Sequence, residues 1–199
     1  MSPKRTQHTP LPRLVVISAP SGAGKTTLSS MLLKEFPQLQ RSVSTTTRPR
    51  RENEVEGVHY HFVSDSTFQE KIQKNQFAEW ALVHGKRYGT TRATIERILN
   101  QGGHPVFDID VQGAMNLQAL YGDRVLLVFI HPPSMEALKE RLVQRKGDSA
   151  ESIENRIKNA YSEIQWSQKY DYQIVNDNLE TAFQTLKSII QKECLQKVL

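Results

Sequence analysis

The sequence is poor in cysteine and has no long apolar run. Its single cysteine, Cys194, excludes intramolecular disulfides and a four-thiolate metal site, so a reducing cytoplasm fits it best. No stretch approaches the roughly 20 apolar residues needed to cross a bilayer, and we expect no membrane partner. Residues 1–12 carry charge but lack the apolar segment of a secretory signal. We interpret them as a flexible tail, although a basic tail could also contact an acidic partner.

The length and charge are typical of one globular unit. A chain of 199 residues can bury one proper core with one or two inserted lobes. Lysine and arginine number 26 against 21 aspartates and glutamates, which gives a net charge of +5. This surplus suits nucleic acid, and it suits a small polyphosphate equally well. The positions of the arginines must therefore decide between the two kinds of ligand.

Apolar runs typical of buried strands alternate with helical patterns. The alternation predicts an α/β fold with a parallel sheet flanked by helices. Residues 41–92 are polar and arginine-rich and break the alternation, so they are predicted to form an inserted lobe with short strands within 58–64 and 86–90. Residues 141–157 are predicted to form a charged hairpin between two helices. The strand-like runs of the core are residues 14–18, 105–110, 125–130 and 172–177.

Several helices have recognisable ends and buried faces. Pro37 ends the first helix, and Ser66 and Gln69 have the spacing of a capping box at the start of another. Gly102 and Gly103 can adopt the positive φ of a helix C-cap. The predicted buried faces are Leu28, Met31, Leu32 and Phe36 on the first helix and Ala182, Phe183, Leu186, Ile189 and Ile190 on the last.

The stretch between the first strand and the first helix has the pattern of a phosphate-binding loop, or P-loop. Backbone N–H groups of such a loop surround phosphate oxygens, and the helix N-terminus adds partial positive charge. Gly22 and Gly24 allow close approach, Lys25 reaches the β- and γ-phosphates, and the Thr26 hydroxyl can bind Mg²⁺. Ala19 replaces the first glycine, which costs little at negative φ and roughly 1–2 kcal/mol in the left-handed region. The loop is Ala19, Pro20, Ser21, Gly22, Ala23, Gly24, Lys25 and Thr26.

A triphosphate site also needs a carboxylate at the end of a neighbouring strand. Asp108 and Asp110 follow an apolar run, and their spacing of two places them on one side of a strand. One of the two could instead cap the following helix. We favour Asp108 as the residue that holds the metal through water.

The inserted lobe contains an arginine group that fits a phosphate monoester. Arg48, Arg50 and Arg51 lie near Ser44 and Tyr60, and guanidinium groups with hydroxyl neighbours supply the bidentate and neutral donors that such a dianion needs. A nucleic-acid or localisation patch is the alternative. The segment lacks the lysine density and the aromatic stacking platforms of such patches, so we expect no nucleic-acid partner.

Taken in order, these blocks resemble guanylate kinase over residues 13–192. The blocks are APSGAGKTTL, SVSTTTRPRR, EVEGVHYHFVS, FAEWALVHGKRYGTT, FDIDVQGA, FIHPPS, LKERL and IVND. The resemblance implies a P-loop NTPase-type fold that transfers the γ-phosphate of ATP to GMP, and to dGMP as a further acceptor, in purine nucleotide metabolism with Mg²⁺. It implies one domain, residues 13–199, with a core of 13–40, 93–140 and 159–199, a GMP-binding lobe of 41–92 and a lid of 141–158.

The resemblance also implies roles for individual residues. Glu79 would read guanine, because a carboxylate accepts both the N1–H and the N2 amine of that base. Arg145 and Arg156 of the lid would bridge the two phosphates. The implied catalytic residues are Lys25, Arg48, Arg51, Arg145 and Arg156, and the implied metal-binding residues are Thr26 and Asp108. The implied ATP-binding residues are 19–27, which end at Thr27, together with Asn176 and Asp177. The implied GMP-binding residues are Ser44, Arg48, Arg51, Tyr60, Glu79, Tyr88, Thr90 and Asp110.

Simpler interpretations stand beside these roles. Without the resemblance, Glu79 would be an ordinary surface glutamate and the lid arginines would lie on a solvated helix surface. Glu52, Asn53 and Arg87 depart from the family pattern, so the arginine turn and the affinity for GMP could differ. The rival functions are a non-enzymatic binding module and a P-loop kinase with another acceptor, such as a ribosyl phosphate. We expect a monomer or a weak homo-oligomer.

Overall fold

The computed structural model describes residues 11–83, 85–144 and 149–195. Its first sheet has five parallel strands in the order β2-β7-β1-β8-β9, and its second has four strands in the order β4-β3-β6-β5. The strands are β1 (Leu14–Ser18), β2 (Leu39–Arg41), β3 (Thr45–Thr46), β4 (His61–Phe62), β5 (Phe77–Val83), β6 (Lys86–Thr91), β7 (His104–Asp108), β8 (Val125–His131) and β9 (Tyr172–Val175).

The parallel sheet confirms the predicted α/β fold. The predicted strand 14–18 is confirmed over its whole length, and the other three begin and end within two residues of their predicted positions. These strands were recognisable because both faces of the sheet are covered, which makes each strand a continuous apolar run. The short strands β2 and β3 were not predicted. The seven-residue strand β5 was also missed, since it is a partly exposed edge strand without such a run.

Seven α-helices are found in the part of the chain that the structure describes. The N-cap of α2 is Ser64, whose side chain accepts a hydrogen bond from the backbone N–H of Thr67, so the predicted capping box at Ser66 is wrong. Gly102 has the predicted positive φ of +74° beyond α3, whereas Gly103 does not. The helices are α1 (Lys25–Glu35), α2 (Asp65–Gln73), α3 (Arg92–Asn100), α4 (Val111–Tyr121), α5 (Met135–Val143), α6 (Ala150–Gln165) and α7 (Leu179–Ile190).

The core lies on both faces of the five-stranded sheet. Val15 and Ile17 of β1 pack on one face with α1 and α7, while Leu14 and Val16 pack on the other with α3 and α4. The predicted stripe on α7 is confirmed, because all five of its residues are buried. On α1, Leu28, Leu32 and Phe36 are buried and Met31 packs against them, as predicted.

The second sheet, formed by residues 45–91, has only a small core of its own. Phe68 of α2 stacks on Phe77 with ring centroids 4.3 Å apart, and Trp80 meets Phe68 edge to face. Leu82 and Trp80 on β5 remain exposed. α5 and α6 pack on each other through Leu138, Leu142 and Ala160, beside the loop that precedes α1. None of the helices in the described ranges is both long and apolar enough to span a bilayer.

Candidate nucleotide site

The loop between β1 and α1 has the conformation that a P-loop requires. Gly22 and Gly24 have φ values of +94° and +96°, which favour glycine. Ala19 is buried in the core and has no positive φ, so the alanine is accommodated without the left-handed penalty. The backbone N–H of Ala23 donates to Pro20 O at 3.0 Å and closes the turn. The departure at the first position therefore leaves the loop intact.

Asn176, just beyond β9, braces this loop from outside. Its buried side-chain Nδ2 donates to Ala23 O at 2.8 Å, and its backbone N–H donates to His131 O at 2.8 Å. A Cβ added to Gly24 would lie 2.1 Å from that Nδ2, so only glycine fits there. The predicted ATP-binding residue Asn176 thus contacts the loop itself, and Asp177 beside it is exposed. The cap of α7 is Asn178, which accepts from the N–H of Thr181.

Lys25, Thr26 and Asp108 meet at the mouth of the loop. Lys25 Nζ lies 2.9 Å from Asp108 Oδ1 and donates to Ile109 O at 3.2 Å. The Thr26 hydroxyl donates to Asp108 Oδ2 at 3.3 Å. Burial by itself would lower the pKa of Lys25, but the ion pair with Asp108 raises it overall, so the ammonium stays charged. The structure brings together the cation and the two oxygen donors that were predicted for a triphosphate with its metal.

Asp110 caps α4, the role that the sequence allowed for either Asp108 or Asp110. Its Oδ1 accepts from the backbone N–H of Gly113 at 2.8 Å at the start of α4. Asp108, by contrast, points to Lys25 and Thr26. The two carboxylates therefore differ in what they contact.

Glu79 on β5 is a buried carboxylate near Asp110. Its residue exposure is 5%, and Oε1 has no hydrogen-bond partner. Burial raises the pKa of Glu79 to about 7, Asp110 adds to the rise, and hydrogen bonds from Thr90 oppose it. A Cβ on Gly113 would lie 3.0 Å from Oε2, so glycine makes room for the carboxylate. The surface-glutamate interpretation is wrong, because an unpartnered buried acceptor of this kind suits a ligand that donates hydrogen bonds.

The predicted base-binding hydroxyls lie beside this carboxylate. Glu79 and Thr90 are directly paired across β5 and β6, and the hydroxyls of Ser44 and Thr90 are 3.2 Å apart. A side chain at Gly89 would meet Trp80 Cβ at 2.7 Å, which keeps the strand surface flat there. Ser44, Glu79 and Thr90 are thus brought together although 46 residues separate the first from the last.

Arg48 and Arg51 belong to a tight turn held by Glu54. Arg48 Nη2 lies 2.6 Å from Glu54 Oε1, Nη1 lies 3.0 Å from Oε2, and the backbone N–H of Arg51 donates to Oε2 at 2.8 Å. The Arg48 guanidinium also lies 5.5 Å from the ring centroid of Tyr60. Asn53 has no positive φ, so the glycine common in the family is not required at this turn. Glu54 was not recognised from the sequence.

A cleft of about 750 Å³ runs between the P-loop and the second sheet. The described site residues that do not line it directly are Ala23, Arg48, Arg51, Glu79, Tyr88, Thr90, Asn176 and Asp177. The predicted site residues that do line it are Ala19, Pro20, Ser21, Gly22, Gly24, Lys25, Thr26, Thr27, Ser44, Tyr60, Asp108, Asp110 and Arg156.

The helices beside the P-loop contribute further charged groups. Arg156 on α6 donates from Nη1 to the Ser21 hydroxyl at 2.7 Å, so one predicted lid arginine already contacts the P-loop. Arg145, the other predicted lid arginine, lies outside the described residues. A Cβ on Gly22 would lie 3.1 Å from Leu142 of α5, so α5 also touches the loop.

Three charged residues of the cleft were missed from the sequence. Glu163 lines it from α6, and burial raises the pKa of that carboxyl to about 7. Arg141 on α5 donates to Asn176 O at 3.0 Å, and Arg41 lines the cleft from the end of β2. Glu163 lies seven residues after Arg156, which places both on one face of a helix, and this spacing was the available signal. For Arg41 the only signal was its place at the carboxyl end of a strand that was not recognised.

Arg87, a departure from the family pattern, does not line the cleft. Its Nη1 pairs with Asp65 Oδ1 at 2.5 Å at the start of α2. No group of three or more histidine, cysteine, aspartate or glutamate side chains suited to a metal occurs within the described ranges.

Comparisons with known proteins agree with this geometry. The sequence profile of the guanylate kinase family matches residues 11–193. A guanylate kinase of Rhodopseudomonas palustris is 48% identical over 92% of this chain and 84% of its own length. A crystal structure of guanylate kinase from Anaplasma phagocytophilum has a TM-score of 0.77 and 31% identity, over 94% of this chain and 88% of that one. The SH3-kinase fragment of tight junction protein 3 has a TM-score of 0.51 at 14% identity, over 92% of this chain and 58% of that one, and shares the fold alone.

Proposed function

This chain belongs to the guanylate kinase family, and we propose that it transfers the γ-phosphate of ATP to GMP, giving ADP and GDP. The observation that carries the proposal is the buried, unpartnered Oε1 of Glu79 in the lobe across the cleft from Lys25 and Asp108. One end of this arrangement suits a polyphosphate, and the other suits a base that donates two hydrogen bonds.

The donor end is assigned to the P-loop. Its backbone N–H groups and Lys25 would bind the phosphates of ATP, and Asn176 would keep the loop in shape through its bond to Ala23 O. The ion pair of Lys25 with Asp108 keeps the ammonium charged until a phosphate arrives. Asp177 is kept as a proposed neighbour of the adenine.

Thr26 and Asp108 are the residues proposed to hold Mg²⁺ that arrives with ATP. Hydroxyl and carboxylate oxygens are the ligands that this hard cation prefers, and the two side chains converge within 3.3 Å of each other. When bound, Mg²⁺ would neutralise phosphate charge. The protein supplies the oxygen donors on two rigid elements, the start of α1 and the end of β7.

The acceptor end is assigned to the lobe. Ionised Glu79 would accept from the N1–H and the N2 amine of guanine, with Ser44 and Thr90 as further hydrogen-bonding groups and Asp110 nearby. Adenine has no N1–H and no N2 amine, so it would leave a buried carboxylate underpaired. The phosphate of GMP is assigned to Arg48 and Arg51, with the hydroxyls of Tyr60 and Tyr88.

The reaction needs no general base from the protein. The second pKa of a phosphate monoester is near 6, so the acceptor attacks as an ionised oxygen at neutral pH. The obstacle is charge, because the two substrates together carry roughly −6. Cationic groups from the P-loop, the lobe and the lid offset this repulsion and stabilise the in-line transition state. These groups are Lys25, Arg48, Arg51, Arg145 and Arg156.

We also propose that residues 41–92 form the GMP-binding lobe and that residues 141–158 act as a lid. Arg156 belongs to α6, which continues to Gln165, so its bond to Ser21 links the lid to the P-loop. Delivery of arginines by a lid delays the assembled site until both substrates are present and protects ATP from water. A monomer or weak homo-oligomer in the cytoplasm, with dGMP as a second acceptor, completes the proposal.

A coupled assay of ADP release tests the function directly. The purified chain is offered ATP and Mg²⁺ with GMP, dGMP, AMP, UMP or ribose bisphosphate in turn. We expect turnover with GMP and dGMP and little with the others. Turnover with ribose bisphosphate would favour the alternative kinase, and no turnover with any acceptor would favour a binding module.

A further inference from the structure

We propose that Glu54 is a positioning residue that aims the Arg48 guanidinium at the phosphate of the acceptor nucleotide. This inference rests on the proposed function. The lobe that carries Arg48 also carries Glu54 six residues later, and their side chains form a two-bonded ion pair with N···O distances of 2.6 and 3.0 Å.

The ion pair with Glu54 uses one edge of the Arg48 guanidinium and leaves a second edge outside the pair. A guanidinium has five N–H donors in a plane, and two of its edges can bind an oxyanion through two parallel bonds. Glu54 spans Nη1 and Nη2, and Pro49 O accepts from Nη1 at 2.7 Å. The edge formed by Nε and Nη2 therefore stays outside the ion pair. Hydrogen bonding to Glu54, and after it the neighbouring Tyr88 that is assigned to the same phosphate, raises the pKa of this guanidinium.

Glu54 also fixes the second arginine of the turn. Its Oε2 accepts from the backbone N–H of Arg51 at 2.8 Å, and the N–H of Glu54 donates back to Arg51 O at 3.1 Å. One carboxylate thus ties the side chain of Arg48 to the backbone of Arg51. The rings of Tyr60 and Phe62 also lie beside the guanidinium, with centroids 5.5 and 5.8 Å from it.

A different role, in which Glu54 occupies the phosphate site until the substrate displaces it, fits the structure less well. The two side chains are only 15% and 14% exposed. If Arg48 left the pair, Glu54 would be a largely buried charge without its partner, which is costly. Hydrogen bonding to Arg48 holds the pKa of Glu54 down at about 2, so the carboxylate is ionised throughout the assay range. The pair therefore persists when the phosphate binds.

The test compares Glu54→Gln with Glu56→Gln. Glutamine keeps the size of Glu54 but removes its charge and one acceptor. Glu56 is a matched control two residues away, because its carboxylate pairs with His61 and the backbone N–H of Phe62 rather than with an arginine. We expect Glu54→Gln to raise the KM for GMP at least about tenfold, while the KM for ATP changes less than about twofold. Glu56→Gln should leave both constants close to those of the unaltered protein.

Calorimetric titration with GMP and with guanosine separates positioning from general damage. Guanosine lacks the phosphate, so Glu54→Gln should weaken binding of GMP and leave binding of guanosine unchanged. Equal loss for both ligands, an unchanged KM, or a lower KM for GMP would overturn the inference, the last by showing that Glu54 competes with the phosphate. If the glutamine variant does not fold, Glu54→Asp replaces it, since its shorter carboxylate keeps the charge but cannot span both Nη atoms and reach Arg51 N. Absence of kinase activity in the unaltered protein would instead refute the proposed function.

Discussion

In the proposed function, the P-loop and the acceptor lobe both bind phosphate, but with different parts of the chain. The P-loop would use backbone N–H groups between a fully buried strand and a helix, and its shape depends on Gly22, Gly24 and the brace from Asn176. The lobe would use side chains on a partly exposed four-stranded sheet, and its shape depends on ion pairs such as that of Arg48 with Glu54. One site is part of the hydrophobic core, and the other is mounted on a small sheet beside it.

This difference determines which substitutions each site tolerates. A backbone site tolerates changes of side chain but not of conformation, which is why alanine at position 19 is accepted and a Cβ at position 24 would collide with Asn176 at 2.1 Å. A side-chain site tolerates a changed turn but not the loss of a charge or an acceptor. Asn53, where the family commonly has glycine, is compatible with the turn for that reason.

The largest effect is expected from Lys25→Ala. Removal of this cation should lower kcat at least ~10³-fold, because it leaves charge on the transferring phosphate uncompensated. The variant Lys34→Ala, on the exposed last turn of the same helix, is the matched control and should retain full turnover. Steady-state kinetics with GMP measure both. Unchanged turnover in Lys25→Ala would refute its role, and the same loss is expected of Arg145→Ala.

A smaller effect, on the base rather than the phosphate, is expected from Glu79→Gln. Glutamine offers one acceptor and one donor where guanine needs two acceptors, so kcat/KM for GMP should fall roughly 10²–10³-fold. Discrimination against AMP should shrink at the same time. The measurement is the ratio of kcat/KM for GMP and AMP in both proteins. A fall for both acceptors by the same factor would mean that Glu79 does not read the base.

The acceptor lobe should also respond to pH, through Glu79. Burial raises the pKa of Glu79 to about 7, and guanine requires the ionised form, so binding of guanosine should weaken roughly tenfold per unit below pH 7 and level off above it. Guanosine avoids titration of the phosphate. In the ligand-free protein, folding stability depends on pH with the opposite sign to guanosine binding. Burial favours the protonated form of Glu79 in the folded state, so the contribution of Glu79 to stability is present at about pH 4.5 and is lost as the pH rises through 7. Glu79→Gln should abolish the trend in calorimetric titrations with guanosine and reduce the trend in thermal melts, to which Glu163, with a pKa that burial also raises to about 7, still contributes.

The smallest effect is expected from Arg87→Tyr. Arg87 replaces a residue common in the family, but its side chain pairs with Asp65 at the start of α2 and does not line the cleft. The KM for GMP should therefore change by less than about twofold, since exposed ion pairs contribute little. A larger shift in either direction would show that this part of the lobe reaches the acceptor.

The same contrast explains what the sequence could predict. The core strands and the stripe on α7 were recognisable because burial on both faces, or along one helix stripe, leaves a regular apolar pattern. The P-loop was recognisable because its glycines and lysine have fixed spacing. The edge strand β5 was missed, since partial exposure removes the pattern that identifies a strand.

The interactions that complete the site could not be predicted in this way. Whether Asp108 or Asp110 would cap α4 depended on where that helix begins, and only the fold decides it. The pairing of Arg48 with Glu54 has no fixed spacing in sequence, and neither has the approach of Glu163 to the cleft. The packing of the folded chain determines which groups these side chains contact.

The strand order of the parallel sheet affects how the protein folds during its synthesis on the ribosome. β1 precedes the other described strands in the chain, yet its two neighbours are β7 and β8, and β9 beyond them leads to Asn176. The nascent P-loop therefore emerges about 150 residues before the amide that braces it. Such distant pairings make folding slow, so the phosphate loop of this chain stays without its final support until the residues that follow β9 have been synthesised.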